Sequence, residues 1–210
     1  MRILLTGLVA SAIMIGSFLL WGGEFELLFT EEGVPKTLGP NGWLLVVGLL
    51  ILDVFLPIPA TAALATLGMT YGPWIGGLYG CLGTFLAGAL GYGMCRLANE
   101  RIARFLVGEV GLAMGKRLFR NSGAWAIALS RWTILLPELL SCFAGLVRMP
   151  AKTYFAALAC GVAPMSFAYA WLGSTKTAQD NPLLALGLSA AVPVLLWAIV
   201  SRCFKPKDSF

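Results

Sequence analysis

Apolar residues fall into six long runs, at 3–21, 43–69, 74–97, 123–147, 153–172 and 183–201, and most polar residues collect in the gaps. Most runs approach the roughly 20 residues that a helix needs to cross a bilayer. No polar tail, low-complexity block or Ser/Gly-rich linker interrupts them. The pattern predicts one integral membrane domain over 1–210, all-α and polytopic, with terminal transmembrane helices at 3–21 and 183–201. The run after Met1-Arg2 is longer than the apolar core of a signal peptide, about 7–15 residues, and further spans follow it. It reads as a retained helix.

Six runs need not be six crossings, and the loop charges discriminate. The 24–42 loop holds Glu24, Glu26, Glu31 and Glu32 against Lys36, whereas the 96–120 segment holds six basic residues against Glu100 and Glu109. Basic segments stay in the cytoplasm. If every run crossed once from an inside N-terminus, the basic 96–120 segment would land outside. If 43–69 and 123–147 instead enter and turn back, from outside and inside respectively, every basic cluster is cytoplasmic, as are both termini. The alternative is a pair of ordinary kinked spans.

The two suspect runs contain helix breakers. "DVFLPIPATAALATLG" carries Pro57 and Pro59, and "SRWTILLPELLSCFAGL" carries Pro137. Proline removes a backbone donor and clashes with the preceding turn. The freed backbone is tolerated at membrane depth only inside protein or beside a wet cavity. Gly68 precedes Pro73 by the same spacing as Gly145 precedes Pro150, and a long apolar run follows each proline. These features predict two opposed re-entrant hairpins in an inverted-repeat arrangement. The glycine row Gly72, Gly76, Gly77, Gly80, Gly83, Gly88 and Gly91 suits close packing against a hairpin, or less readily a dimer. Ile102, Phe105, Leu106, Val110, Met114 and Leu118 recur at near-helical spacing among basic residues, as in an interfacial amphipathic helix.

Composition narrows the chemistry. The chain is 59% hydrophobic and 12% charged, with a net charge of +5. In so apolar a sequence that charge belongs on the cytoplasmic leaflet, and no nucleic-acid partner is expected. The five cysteines form no Cys-x-x-Cys and read as small core residues rather than a disulfide framework. Histidine is absent, which removes the commonest metal ligand and general acid-base group. No metal, cofactor or catalytic residue is expected.

Three charges stand inside apolar runs: Asp53, Arg131 and Glu138. A charge at the bilayer centre costs about 2.5–3.5 kcal/mol, so such residues face a cavity or a partner. If the hairpin tips meet, the three come together. They form either a buried ion pair that fixes the hairpins or a substrate and proton site.

These stretches resemble the DedA superfamily, also called the VTT-domain or SNARE-associated Golgi protein family. The resemblance covers about residues 40–175. It rests on "LPIPATAALATLGMTYGPWIGG", similar to the family's proline-containing hairpin and aromatic-glycine-proline step. Its second part is "SRWTILLPELLSCFAGLVRMPAKTYFAALACGVAP", with the hairpin arginine, the glycine and the Phe-rich helix ending in Gly and Pro. Arg131 matches the family's hairpin arginine and Asp53 an acidic position. The second acidic position falls near Thr61, the second arginine at Pro137 beside Glu138, and Ile134 replaces a proline. These departures put the chain nearer the eukaryote-like VTT branch.

The resemblance implies lipid movement across a bacterial inner membrane. The leading expectation is a translocase for a phosphate-bearing lipid, such as a polyprenyl phosphate or an anionic phospholipid. Arg131 would hold the phosphate, and Asp53 and Glu138 would balance it. Anionic membrane lipids are the expected partners, protons a candidate coupling ion, and a second copy of the chain a candidate neighbour. A non-transporting assembly protein and a membrane-embedded lipid-phosphate enzyme are the alternatives.

Overall fold

The computed structural model describes residues 41–55, 58, 60–98, 108–109, 113, 115–117, 119, 123–132 and 137–175. Over these the chain is helical, with no strand. The terminal runs 3–21 and 183–201, the 24–42 loop up to residue 40, and Pro57 and Pro59 lie outside the described residues.

Helix α1, Gly42–Leu52, is apolar on every face and ends where the Asp53 N–H donates to Leu49 O at 3.0 Å. Helix α2, Ala60–Leu97, is broken at Gly72, whose φ of 81° and ψ of 170° suit a residue without a Cβ. Pro73 then opens a new helical arm, where its missing N–H costs nothing. The two arms fold back on one another. A Cβ on Gly76 would strike the Leu67 backbone, and one on Gly80 would strike the Leu64 side chain.

The second half repeats the sequence of elements. Residues 123–130 are helical, Arg131 and Trp132 turn, and α3, Pro137–Leu146, follows. α3 closes with Met149 N–H donating to Ala144 O and Arg148 N–H to Gly145 O, both at 3.0 Å. This is a Schellman closure with Arg148 in the left-handed position, φ 57°. Pro150 then leads into α4, Ala151–Ser174.

The long arm of α2 runs antiparallel to α4. Trp74 meets Trp171 at one end, the Thr84 and Ser166 hydroxyls approach to 3.3 Å midway, and Tyr92 stacks on Tyr154 towards the other. α1 packs on α2 from the first end, with Leu50 against Gly83. α3 packs from the opposite end, with Gly145 against the Tyr92 and Arg96 backbone. In return, Gly68 touches the Ala170 backbone of α4 and Gly173 that of Ala65. The first arm of α2 therefore meets α4 at a glycine, as α3 meets the long arm of α2. Within the glycine row, Gly76 and Gly80 pack on the first arm of α2 and Gly83 on α1, whereas Gly77 and Gly88 pack on α4.

The surface is inverted relative to a water-soluble domain. Leu78, Leu82, Leu86, Leu90 and Met94 form an exposed stripe on α2, with Leu78 61% exposed, while Thr66, Ser130, Ser141 and Ser166 are buried. A stripe of this kind is unfavourable in water and favourable against lipid tails. Among the described residues, α2 and α4 are long and apolar enough to cross a membrane.

Two expectations change. Cys95 and Cys142 form a disulfide, with Cα atoms 5.1 Å apart, joining the last turns of α2 to α3. The Cys-x-x-Cys rule could not reveal a pair separated by 47 positions. Cys160 is exposed rather than a core residue. In the 98–121 segment, the positions assigned to an apolar face lie outside the described residues. Gly115 and Phe119 are buried against α3, while Lys116 and Arg117 are exposed.

Candidate functional site

The turn after α1 and the turn that begins at Arg131 each contribute to one apolar cluster, through Ile58 and Trp132. Asp53 Oδ1 accepts from the Ile58 N–H at 2.9 Å, which closes the first turn. Ile58 belongs to an apolar cluster with Leu50, Leu64 and Met165, and Trp132 of the second turn packs against that cluster. Ile58 and Trp132 are thus parts of one packed region.

Arg131 begins the second turn and is only 5% exposed. Its Nη2 donates to Pro137 O at 2.9 Å and to Ser141 Oγ. Ser141 Oγ donates in turn to Pro137 O at 2.7 Å. The Nε of Arg131 is buried without a hydrogen-bond partner. Burying such a donor unsatisfied costs about 1–3 kcal/mol, and more for a charged group.

Asp53 and Glu138 are half-buried and lie within electrostatic range of Arg131 and of each other. A small cavity is lined by Val54, Gly88, Gly91, Arg131, Glu138 and Ser141. Of the three charged residues singled out from the sequence, Arg131 and Glu138 line it, and Asp53 lies within electrostatic range without lining it. Pro137 stands at the first turn of α3, supplying the carbonyl that Arg131 holds.

Two buried hydroxyls escaped the sequence reading. Ser141 is fully buried and holds Arg131. Tyr154, also fully buried, donates to Gly88 O at 2.8 Å and stacks on Tyr92 at 4.1 Å between ring centroids. Ser141 had a legible signal: it stands one helical turn after Glu138 and shares its face. Tyr154 had none, because a tyrosine in an apolar helix is ordinary core. The same α2 turn steadies the exit of α3, where Met149 O accepts from Tyr92 Oη and Arg96 Nη1, each at 2.6 Å. Among the described residues no cluster of three metal-ligating side chains occurs.

An all-helical chain with leucines outward, hydroxyls inward and a charged cluster between two helical turns is a membrane protein by its physical chemistry. Its family follows from comparison with known proteins: the VTT domain model matches residues 58–175, more than half of the chain. The chain belongs to the VTT domain family, that of the DedA and SNARE-associated Golgi proteins. No curated protein and no solved structure gives a significant match.

Proposed function

We propose that the protein is a lipid translocase for a phosphate-bearing headgroup, acting through Arg131 between two re-entrant hairpins. The observation that carries this reading is the buried guanidinium of Arg131, which lines a small cavity with Glu138 and keeps one donor, Nε, unpartnered. A guanidinium with a donor to spare suits a phosphate oxygen, through short charge-assisted hydrogen bonds. Asp53 and Glu138 balance the charge when no anion is bound, and either is a candidate proton carrier. The chemistry is transfer without bond making, so the protein is not an enzyme in this reading.

The membrane geometry is consistent with it. α1 has 11 residues and α3 has 10. At 1.5 Å per residue these are about 15–16 Å long, half of a hydrocarbon core of about 30 Å. Arms this short reach mid-membrane and turn back. The matched breaks before Pro73 and Pro150, and the reciprocal glycine crossings, fit an inverted repeat. The bacterial inner membrane is the compartment the family resemblance favours.

A second reading has its own support. The bonds of Arg131 to Pro137 O and Ser141 would also serve a hairpin staple in a non-transporting assembly protein. The two differ in the behaviour of Arg131→Ala. Ser141 Oγ still donates to Pro137 O without the guanidinium, so the backbone carbonyl keeps a partner and the variant is expected to fold. In liposomes carrying a fluorescent phosphate-headed lipid, the wild type should exchange it between leaflets and Arg131→Ala should not. A folded Arg131→Ala protein that moves lipid at the wild-type rate sinks the translocase site. A wild type that moves none leaves the staple.

A further inference from the structure

The cavity lined by Arg131, Glu138 and Ser141 is about the size of one water molecule, too small for a lipid headgroup. Two of its walls are helices: α2 supplies Gly88 and Gly91, and α3 supplies Glu138 and Ser141. A larger anion enters only if these walls part. The Cys95–Cys142 disulfide joins the same two helices. Cys95 stands one helical turn after Gly91 on the same face of α2, and Cys142 directly follows Ser141. The link is not needed to bring the helices together. Gly145 of α3 abuts the Tyr92 and Arg96 backbone, and Met149 O accepts from Tyr92 Oη and Arg96 Nη1. These contacts gather at the Leu146 end of α3 and survive when the sulfurs part. The hydrogen bonds of Arg131 and Ser141 to Pro137 O run within the second half, so they travel with α3.

We propose that Cys95–Cys142 is a reversible redox latch on this cavity. As a disulfide it pins α3 to α2 and keeps the cavity closed; as two thiols it frees the Pro137 end of α3 to swing away from Gly88 and Gly91. The gating of transport rests on the translocase reading above. Both cysteines are half-buried rather than sealed, so the link is open to exchange. Opening takes a dithiol reductant. One of its thiolates attacks a sulfur of the link and displaces the other cysteine as a thiolate, and its second thiol resolves the mixed disulfide. Two electrons and two protons end on the cysteines, and the reductant leaves as a disulfide. Closing is the reverse exchange with a disulfide oxidant. The charge pattern predicts the cytoplasm for the basic 96–120 segment that follows Cys95. Thiols there are kept reduced and disulfides are transient, as a latch requires.

The test uses the whole protein in liposomes, poised with dithiothreitol or with glutathione disulfide. It reads amide hydrogen exchange and the leaflet exchange of a fluorescent phosphate-headed lipid. Expected on reduction is amide exchange about tenfold or more faster over the α3 residues 138–146, with α1 unchanged, and lipid exchange faster by a similar factor. Cys95→Ser and Cys142→Ser should behave as the reduced wild type under both conditions, whereas Cys160→Ser should keep the redox response. If either serine variant fails to accumulate, reduction of the folded wild type still carries the test. Equal exchange of the α3 amides in the two states, or a pair that alkylates fully after oxidation, overturns the proposal. A wild type that moves lipid at the same rate in both states also overturns it, even where α3 loosens. If reduction loosens α3 and the wild type moves no lipid in either state, the latch stands and the translocase reading fails.

Discussion

At the scale of single residues, charge was what the sequence made visible. Asp53, Arg131 and Glu138 stand out in apolar runs because each is expensive there, and the fold gathers all three. Ser141 and Tyr154 cost far less in an apolar helix, so cost did not mark them; only the helical spacing of Ser141 from Glu138 did, and Ser141 holds the guanidinium. Hydrogen-bond geometry also separates the two basic side chains. Lysine at position 131 would keep the charge but not the planar fork that reaches Pro137 O, Ser141 and the cavity side together. Arg131→Lys is therefore expected to accumulate in the membrane and to transport poorly, as measured by leaflet exchange beside the wild type. Glu138 lines the cavity beside Arg131, which makes it the candidate proton carrier of the proposed reading. Glu138→Gln should alter the pH profile of transport while expression and Tm stay near wild type. An unchanged profile would make Glu138 a structural neighbour only.

At the scale of elements, breaks were legible and contacts were not. The Gly72-Pro73 and Pro150 punctuation marks where helices end, because a positive φ and a missing N–H act locally. Which glycine meets which backbone depends on three-dimensional crossing, and only the structure pairs Gly68 with Ala170 and Gly145 with Tyr92. A methyl at either position falls on main chain, which cannot rotate away. Gly68→Ala and Gly145→Ala should each destabilise by about 1–3 kcal/mol or more, seen as a lower Tm in detergent, whereas Gly48→Ala, open on all sides, should not. The closure of α3 works in the opposite direction. Arg148 occupies a left-handed position at a cost of about 1–2 kcal/mol, so Arg148→Gly should raise Tm unless its exposed charge compensates. The Cys95–Cys142 link ties the same helix end to α2 across 47 positions. By loop-closure entropy it contributes up to about 4 kcal/mol. Alkylation before and after reduction, read by mass, should find this pair protected only before reduction, and Cys142→Ser should lower Tm.

At the scale of the molecule, its two ends differ in chemistry. One end gathers Trp43, Tyr71, Tyr79, Trp74 and Trp171. Trp43 stacks on Tyr79 at 4.5 Å, and the Trp43 N–H donates to the Tyr71 hydroxyl at 2.9 Å. The other end carries Arg96, Arg148 and Lys152, with Lys116 and Arg117 exposed on the segment that packs against α3. Aromatic rings favour the headgroup level of a bilayer, and Lys and Arg are retained on the cytoplasmic side. In the proposed reading that difference predicts the orientation, with the basic end towards the cytoplasm and Gly42–Leu52 entering from the opposite face. Charge counting along the chain predicts this orientation from which loops are basic, without knowing how helices pack. The prediction is made with single cysteines in a cysteine-free background and an impermeant thiol reagent applied to intact cells. A cysteine at Trp74 or in the 24–42 loop should label from outside. One at Lys116 or Lys152 should label only after the membrane is opened. Labelling of Lys116→Cys from outside would invert the molecule, place the first hairpin on the cytoplasmic side, and remove the reason for treating 43–69 and 123–147 as runs that turn back.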